Sequence, residues 1–153
     1  MRFVLDASAV LEGEPNPDDE LFTVPGVMME LRSQDAQTAL ERLRVTVRKP
    51  GNDAMRRARA AAERTGDSLR LSETDTALIA LALEEGVPLF TNDFSIQNTC
   101  RELGVPYVSP RDEITRTFRW QLVCRDCGKH LERAGECPVC GGASRIRRMK
   151  QRR

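Results

Sequence analysis

The 153-residue chain is 31% charged and 40% hydrophobic, which suits a soluble globular protein with one ordinary domain and a small appendage. Its longest uncharged stretch, at 21–29, has nine residues, whereas a membrane helix needs about 20 apolar residues, so we expect no membrane span. The net charge of +1 combines −7 over residues 1–115 with +8 over residues 116–153, which predicts two modules with different partners.

The predicted elements alternate between strand and helix patterns. In chain order, they are a strand at 2–5, a loop at 12–20, a helix from Pro25, a helix at 35–44, a strand at 45–47, a helix from Asn52 or Asp53 to Thr65, a helix from Ser72 that ends before Gly86, a strand at 87–91, a helix at 94–103 and a strand at 105–108. This alternation predicts an α/β fold with a parallel sheet flanked by helices. We therefore predict an α/β module at 1–110, a linker at 111–117 and a second module at 118–153.

Four of the five cysteines form two close pairs, Cys124-x₂-Cys127 and Cys137-x₂-Cys140. The N-terminus lacks the basic region and cleavage site of a secretory signal, so we expect a cytoplasmic protein in which the fifth cysteine is a free thiol. Paired C-x-x-C knuckles then predict one tetrahedral, structural zinc ion in a small β ribbon, with a rubredoxin-like iron site as the alternative. Four thiolates leave the ion no open position, so we assign it to folding rather than to catalysis.

The second module is strongly basic, which makes it a candidate surface for RNA phosphates. The alternative is a solvated tail, since runs of charge often do no more than solvate a chain. Phe118, Trp120 and Leu122 alternate with polar residues, and we expect these three to face the ribbon core rather than to stack on bases. The candidate RNA-binding residues are Arg116, Arg119, Lys129, Arg145, Arg147, Arg148 and Lys150.

Acidic residues fall near the predicted rim of the parallel sheet. Asp6 ends the first strand and Asp93 follows the strand at 87–91, so both should lie beyond the carboxyl ends of adjoining strands. Asp75 lies in the first turn of the helix from Ser72, and Glu30 lies on the helix from Pro25. Each has a purely structural alternative: Asp6 and Asp93 suit helix caps, Asp75 has capping-box spacing from Ser72, and Glu30 could be solvated.

A cluster of four carboxylates needs a cation, because two unit charges about 4 Å apart repel by about 4 kcal/mol at an effective dielectric of 20. Ligands that are all oxygen favour magnesium or manganese, and such sites suit hydrolysis of phosphodiesters. Cleavage that uses histidines as general acid and base is disfavoured, because the single histidine, His130, lies among the cysteines of the basic module.

These residues carry a resemblance to a known family. D-A-S at 6–8, the helical Glu30, S-E-T-D-T-A-L-I-A-L-A at 72–82 and T-N-D at 91–93 resemble the PIN-domain ribonucleases. The longer string T-N-D-F-S-I-Q-N, followed by a zinc ribbon, is similar to the branch of precursor-rRNA endonucleases that mature the 3′ end of small-subunit rRNA, in its archaeal form. The resemblance covers about residues 1–110.

The resemblance implies a PIN-like sheet and a divalent-metal endoribonuclease that acts on the small-subunit rRNA precursor in a pre-ribosomal particle. It implies that Asp6, Glu30, Asp75 and Asp93 form the acidic site. Ser8 would orient Asp6 or a bound water, and Thr91 would support the same rim. Asn92 departs from the branch, which often has aspartate there, so the number of catalytic metal ions stays open.

Two other functions remain alternatives. A VapC-type toxin ribonuclease would share the acidic module, although that class usually lacks a ribbon. A non-catalytic, RNA-binding ribosome-assembly factor would keep the zinc and the basic residues but would bind no metal at the acids.

Overall fold

The computed structural model describes residues 1–109, 111 and 116–149, so most of the predicted linker lies outside the described residues. We call residues 1–109 the sheet module and residues 118–149 the ribbon. The strands are β1 (Arg2–Leu5), β2 (Glu20–Thr23), β3 (Thr46–Val47), β4 (Leu89–Phe90), β5 (Tyr107–Val108), β6 (Trp120–Cys124) and β7 (Ser144–Arg148). The helices are α1 (Ala7–Glu12), α2 (Pro25–Glu30), α3 (Gln34–Leu43), α4 (Asn52–Thr65), α5 (Glu73–Glu85) and α6 (Phe94–Leu103), with a short 3₁₀ turn at Asp67–Leu69.

The sheet module contains five parallel strands in the order β3-β2-β1-β4-β5, with helices packed against the sheet. The predicted α/β class is therefore confirmed. β1 is central because its apolar residues Val4 and Leu5 are fully buried between neighbours on both sides. The pairing of Leu5 with Phe90 brings the carboxyl ends of β1 and β4 together, and this edge carries the residues described below.

One helix and one strand of the sheet module were not predicted from the sequence. Helix α1 begins directly after Asp6, and β2 follows the acidic segment at 12–20. β2 has four residues, of which Leu21, Phe22 and Thr23 are buried between β1 and β3, so its periodicity is too short to detect. The predicted N-cap residue of α4 was also wrong. Gly51 occupies this position, without a side-chain hydrogen bond, instead of Asn52 or Asp53.

The ribbon is an antiparallel pair, β6 with β7, around a small core. That core contains Leu122 and Leu131, the cysteines Cys124 and Cys137, and the adjacent Ile146. The expectation that Phe118 and Trp120 also face this core is wrong, because both are half-buried against the sheet module. The alternation along the strand predicts that these side chains share one face, but it does not indicate which surface of the protein covers that face.

Hydrogen bonds join the ribbon to α6 and α4 of the sheet module. The side chain of Asn98 accepts from the Phe118 N–H at 2.5 Å and donates to the Phe118 carbonyl at 2.7 Å. The Arg119 guanidinium donates to the carbonyl of Arg64 at 2.7 Å and to the Glu102 carboxylate at 3.3 Å. A side-chain amide that pairs with both groups of one backbone residue fixes the position of that residue.

Gly66 lies at this junction and should resist substitution. It ends α4 with φ +83°, and a Cβ atom there would lie 2.7 Å from the carbonyl carbon of Trp120. We expect Gly66→Ala to lower the free energy of unfolding by at least about 2 kcal/mol in urea denaturation, from left-handed strain plus this clash. Gly86→Ala is the matched control, since φ is +65° but no described atom lies within 4 Å of its Cβ position. Gly86→Ala should lower the free energy of unfolding by about 1 kcal/mol. Equal losses of unfolding free energy in the two variants would contradict the clash at Gly66.

The helices within the described residues are all too short or too polar to cross a membrane.

Candidate active site and metal centre

The four predicted acids line one cavity of about 410 Å³ at the carboxyl edge of the sheet. Asp6, at the end of β1, and Asp93, after β4, come from neighbouring strands. Asp75 is in the first turn of α5, and Glu30 is the exposed last residue of α2. Residues that are far apart in the sequence are therefore neighbours in the fold. Ser8 and Asn92 line the same cavity.

Asp6 is the most constrained of these acids, with only 5% of its surface exposed. Its Oδ1 accepts from the Ala9 N–H and the Ser8 hydroxyl, both at 2.7 Å, and thereby caps α1. Its Oδ2 accepts from the Thr91 hydroxyl, which is fully buried. Ser8 and Thr91 thus fix the orientation of the carboxylate.

Burial raises the pKa of Asp6 above its ordinary value of 3.8. The hydrogen bonds from Thr91, Ser8 and Ala9 oppose this shift, and the negative charge of Asp93 adds to it. Burial disfavours the ionised form of such an acid, and a nearby cation stabilises that form. The carboxylates and the Ser8 hydroxyl that line the cavity are oxygen ligands, which fit a hard divalent ion.

Asp75 and Asp93 are helix caps as well as cavity residues. Asp75 accepts from the Ser72 N–H through Oδ2 at 3.0 Å and completes a capping box. Asp93 accepts from the Ser95 and Ile96 N–H groups through Oδ1, at 2.8 and 3.2 Å. The structural alternatives for these residues are therefore correct, but they do not exclude a ligand role. Within the described part of the chain, the second oxygen of each carboxylate receives no hydrogen bond.

Asn92 has its amide oxygen occupied, because Oδ1 accepts from the Ser109 hydroxyl at 2.8 Å. Its buried Nδ2 has no hydrogen-bond partner among the described residues. An amide at this position therefore places a donor beside the acids, where a carboxylate would add a fifth negative charge.

Arg111 and Glu12 also line the cavity, although neither was predicted from the sequence as a site residue. Their side chains form an ion pair, with Nη2 of Arg111 2.6 Å from Oε2 of Glu12. A single arginine in a polar stretch that was predicted to be a linker gives no sequence signal. Its position beside the cavity brings a positive group to an otherwise acidic site.

The second site consists of the four paired cysteines, whose sulfur atoms all lie within 4.8 Å of one another. Sγ of Cys124 is 3.4 Å from that of Cys140, and Sγ of Cys127 is 3.7 Å from that of Cys137. Zn–S bonds of about 2.3 Å in a tetrahedron require sulfur separations of about 3.8 Å, so the cluster fits such an ion. Among the described residues, this group alone brings at least three metal-ligating side chains so close together.

The knuckle backbone favours ionised thiols. Hydrogen bonds from the N–H groups of Cys127 and Asp126 lower the pKa of Cys124 to about 6, against the opposing effect of desolvation. The N–H of Gly142 lowers the pKa of Cys140, but the neighbouring Cys124 and Cys127 thiols raise it to about 12. Four thiolates cannot coexist without a cation, and a metal ion in the cluster removes this conflict. Cys100 is different, because burial raises its pKa to about 12, and it lies in the core of the sheet module.

The predicted RNA-binding residues are exposed where the structure describes them, although some are also engaged within the protein. Arg119 joins the two modules through Arg64 and Glu102. Arg116 and Arg148 lie over the Phe118 ring, at 5.3 and 5.2 Å from its centroid. Lys150 lies outside the described residues. The residues that are exposed with no such contact described are Lys129, Arg145 and Arg147.

Comparisons with known proteins agree with this geometry. Residues 3–84 match the family described as the PIN domain of ribonuclease. The chain is 33% identical over 159 residues to Endoribonuclease Nob1 of Pyrococcus abyssi, which covers 99% of this chain and 97% of that protein. This chain belongs to the Nob1 family of PIN-domain endoribonucleases. Endoribonuclease Nob1 of Methanothermobacter thermautotrophicus is 34% identical over 99% of this chain and 95% of that protein.

Proteins named VapC ribonucleases also match, at lower identity or over less of the chain. Ribonuclease VapC3 of Aeropyrum pernix is 35% identical over 118 residues, which covers 71% of this chain and 85% of that protein. The Nob1 proteins match 99% of this chain at 33–34% identity and nearly the whole of their own length, so the Nob1 assignment accounts for more of the molecule. The enzyme is an endoribonuclease, as its sequence predicts.

Proposed function

We propose that this Nob1-family endoribonuclease cleaves a precursor of small-subunit rRNA near its mature 3′ end, in the cytoplasm, during ribosome biogenesis. The observation that carries the proposal is the combination of an acidic cavity on a PIN fold with a basic Cys₄ ribbon in one chain. The substrate follows from the family resemblance, and the pre-ribosomal particle is the expected partner. The domain boundaries we propose remain 1–110, 111–117 and 118–153.

In this proposal, the catalytic acids Asp6, Glu30, Asp75 and Asp93 hold magnesium or manganese. When bound, such a cation supplies the Lewis acidity that phosphodiester hydrolysis requires. Ser8 and Thr91 position Asp6 through their hydrogen bonds, and the Arg111 guanidinium is placed to contact an RNA phosphate. The products would carry 5′-phosphate and 3′-hydroxyl ends.

The ribbon binds structured RNA by its phosphates in this proposal, and the four cysteines hold one structural zinc ion. Phosphate contacts position an RNA without reading its sequence, and they weaken as salt rises. A basic ribbon complements an acidic cavity that would otherwise repel a polyanion. The residues assigned to this role are Arg116, Arg119, Lys129, Arg145, Arg147, Arg148 and Lys150.

The test is cleavage of two RNAs by the zinc-loaded full chain in manganese. One RNA spans the 3′ end of small-subunit rRNA, and the other has the same length and an unrelated sequence. We expect one dominant cut near the mature 3′ end of the first RNA and little cutting of the second. Tight binding without cleavage would favour the assembly-factor alternative. Equal cutting of both RNAs would favour the VapC-type alternative.

A further inference from the structure

A second cavity, of about 340 Å³, lies where the ribbon meets the sheet module. Its walls come from both modules: Phe94 begins α6, Arg70 follows the 3₁₀ turn, and Phe118, Trp120 and Arg148 belong to the ribbon. Its volume lies at the lower end of the range of cavities that hold small organic groups, about 300–1,000 Å³. The proposed mechanism gives this cavity no role.

Aromatic rings dominate the cavity. The Phe118 and Trp120 rings have centroids 6.4 Å apart and are tilted by 42°, and Phe94 is 53% exposed although it is a large apolar residue. The Arg70 guanidinium lies 4.1 Å from the Trp120 centroid, so this ring already accepts a flat group against its face. Flat, π-bonded groups are therefore the ligands that these walls suit. The positive charges of Arg70 and Arg148 add affinity for an adjoining phosphate.

Asp67, which lines this cavity, has one oxygen without a hydrogen-bond partner among the described residues. Asp67 is fully buried, and its Oδ2 accepts hydrogen bonds from the side chains of Thr65, Asn98 and Thr99, at 2.6, 2.7 and 3.1 Å. Its Oδ1 receives no hydrogen bond from any described residue. A buried acceptor without a donor is costly, and Oδ1 is closed to solvent, so the N–H group of a ligand would relieve this cost after a small movement of the cavity wall. Each of the four RNA bases carries such a donor on its Watson–Crick edge.

We propose that this cavity binds one nucleobase of a single-stranded segment of the RNA substrate, beside the bond that is cut. The position follows from the chain, because Phe94 and Ser95 line this cavity and directly follow Asp93 of the acidic cavity. The inference rests on the proposed function in that it takes the acidic cavity as the cleavage site. Both modules supply walls, so the subsite exists only while the ribbon is docked.

Trp120 is the single tryptophan of the chain, and it reports directly on this subsite. The zinc-loaded full chain is titrated in calcium, without magnesium or manganese, with a single-stranded RNA of about eight nucleotides, within the usual site sizes of such binders. The same titration uses an abasic strand of equal length, which keeps the phosphates. We expect the RNA to quench Trp120 fluorescence and the abasic strand to leave it unchanged.

The variant that tests the stacking wall is Phe94→Ala, which truncates an exposed side chain. We expect its RNA affinity to fall about tenfold, the effect of one lost stacking partner, with its affinity for the abasic strand unchanged. Val47→Ala is the matched control, because Val47 is an exposed apolar residue on β3 at the opposite edge of the sheet, and it should change neither affinity.

Three results would overturn the subsite: quenching by the abasic strand equal to that by RNA, unchanged RNA affinity in Phe94→Ala, or quenching by a free nucleoside monophosphate at lower concentrations than by RNA. The last would identify a free nucleotide as the ligand. The cleavage test of the proposed function is independent. Base-dependent quenching without cleavage would retain the subsite and reject the function, and cleavage without base-dependent quenching would reject the subsite alone.

Discussion

Asp6→Asn is expected to reduce RNA cleavage by at least about 100-fold, because residues that merely support metal ligands already cost 10–100-fold when they are lost. The replacement keeps one oxygen to accept from Ala9 and Ser8, so the cap of α1 should survive. The substitution removes the negative charge of a side chain that is almost fully buried. Cleavage rates at saturating RNA and manganese, together with RNA affinity from fluorescence anisotropy, check this prediction. RNA affinity should be unchanged.

The same variant has a second signature in stability. Because the pKa of Asp6 is raised in the folded state, the wild-type protein loses stability as pH rises above 3.8 and through the folded pKa. Asparagine has no such titration, so the stability of the variant relative to the wild type should increase over that pH range. Asp53→Asn is the matched control, since Asp53 is exposed in the first turn of α4 and outside the cavity. A fully active Asp6→Asn enzyme would contradict the acidic site.

Cys124→Ser is expected to abolish zinc binding and to unfold the ribbon while the sheet module remains folded. The ribbon core contains few apolar side chains, whereas structural zinc contributes about 10–16 kcal/mol in zinc-finger peptides, so the ribbon cannot fold without its ion. The sheet module has its own large core. Zinc content should fall from one ion per chain to none, and amide protection should disappear from β6 and β7 alone.

Cys100→Ala is the control for loss of a thiol, because Cys100 is buried away from the cluster. It should keep one zinc ion per chain and a protected ribbon. RNA affinity should fall in Cys124→Ser and not in Cys100→Ala, since the basic residues lose their common surface when the ribbon unfolds. A zinc-loaded Cys124→Ser protein would show that three thiolates suffice and would contradict a four-cysteine site.

The sequence predicted the features that depend on local spacing or on simple topology. Cysteine knuckles at fixed spacing identified the Cys₄ cluster, and the rule that parallel strands end at one edge placed Asp6 near Asp93. Features that depend on tertiary packing were not predicted from the sequence. β2 is too short to show a period, and Arg111 reaches the acidic cavity from a segment that was predicted to be a linker.

The error at Phe118 and Trp120 has the same origin. Alternation identifies a shared face of a strand, but hydrophobicity cannot say whether that face turns toward its own module or toward a neighbour. The hydrogen bonds between the Asn98 side chain and the Phe118 backbone direct this face toward the sheet module. Neither residue type indicates such a contact in the sequence.

The caps formed by Asp6, Asp75 and Asp93 have a consequence for how the enzyme responds to chelators. Each of these carboxylates is anchored by the amino end of a helix, whose partial positive charge offsets some of the mutual repulsion. The acidic cavity thus keeps its shape when no cation is bound, whereas the small core of the ribbon cannot hold the ribbon folded without its ion. A mild chelator that removes magnesium or manganese would leave an intact but idle enzyme, ready to restart on replenishment. A chelator strong enough to extract zinc would instead unfold the ribbon and leave only the sheet module folded.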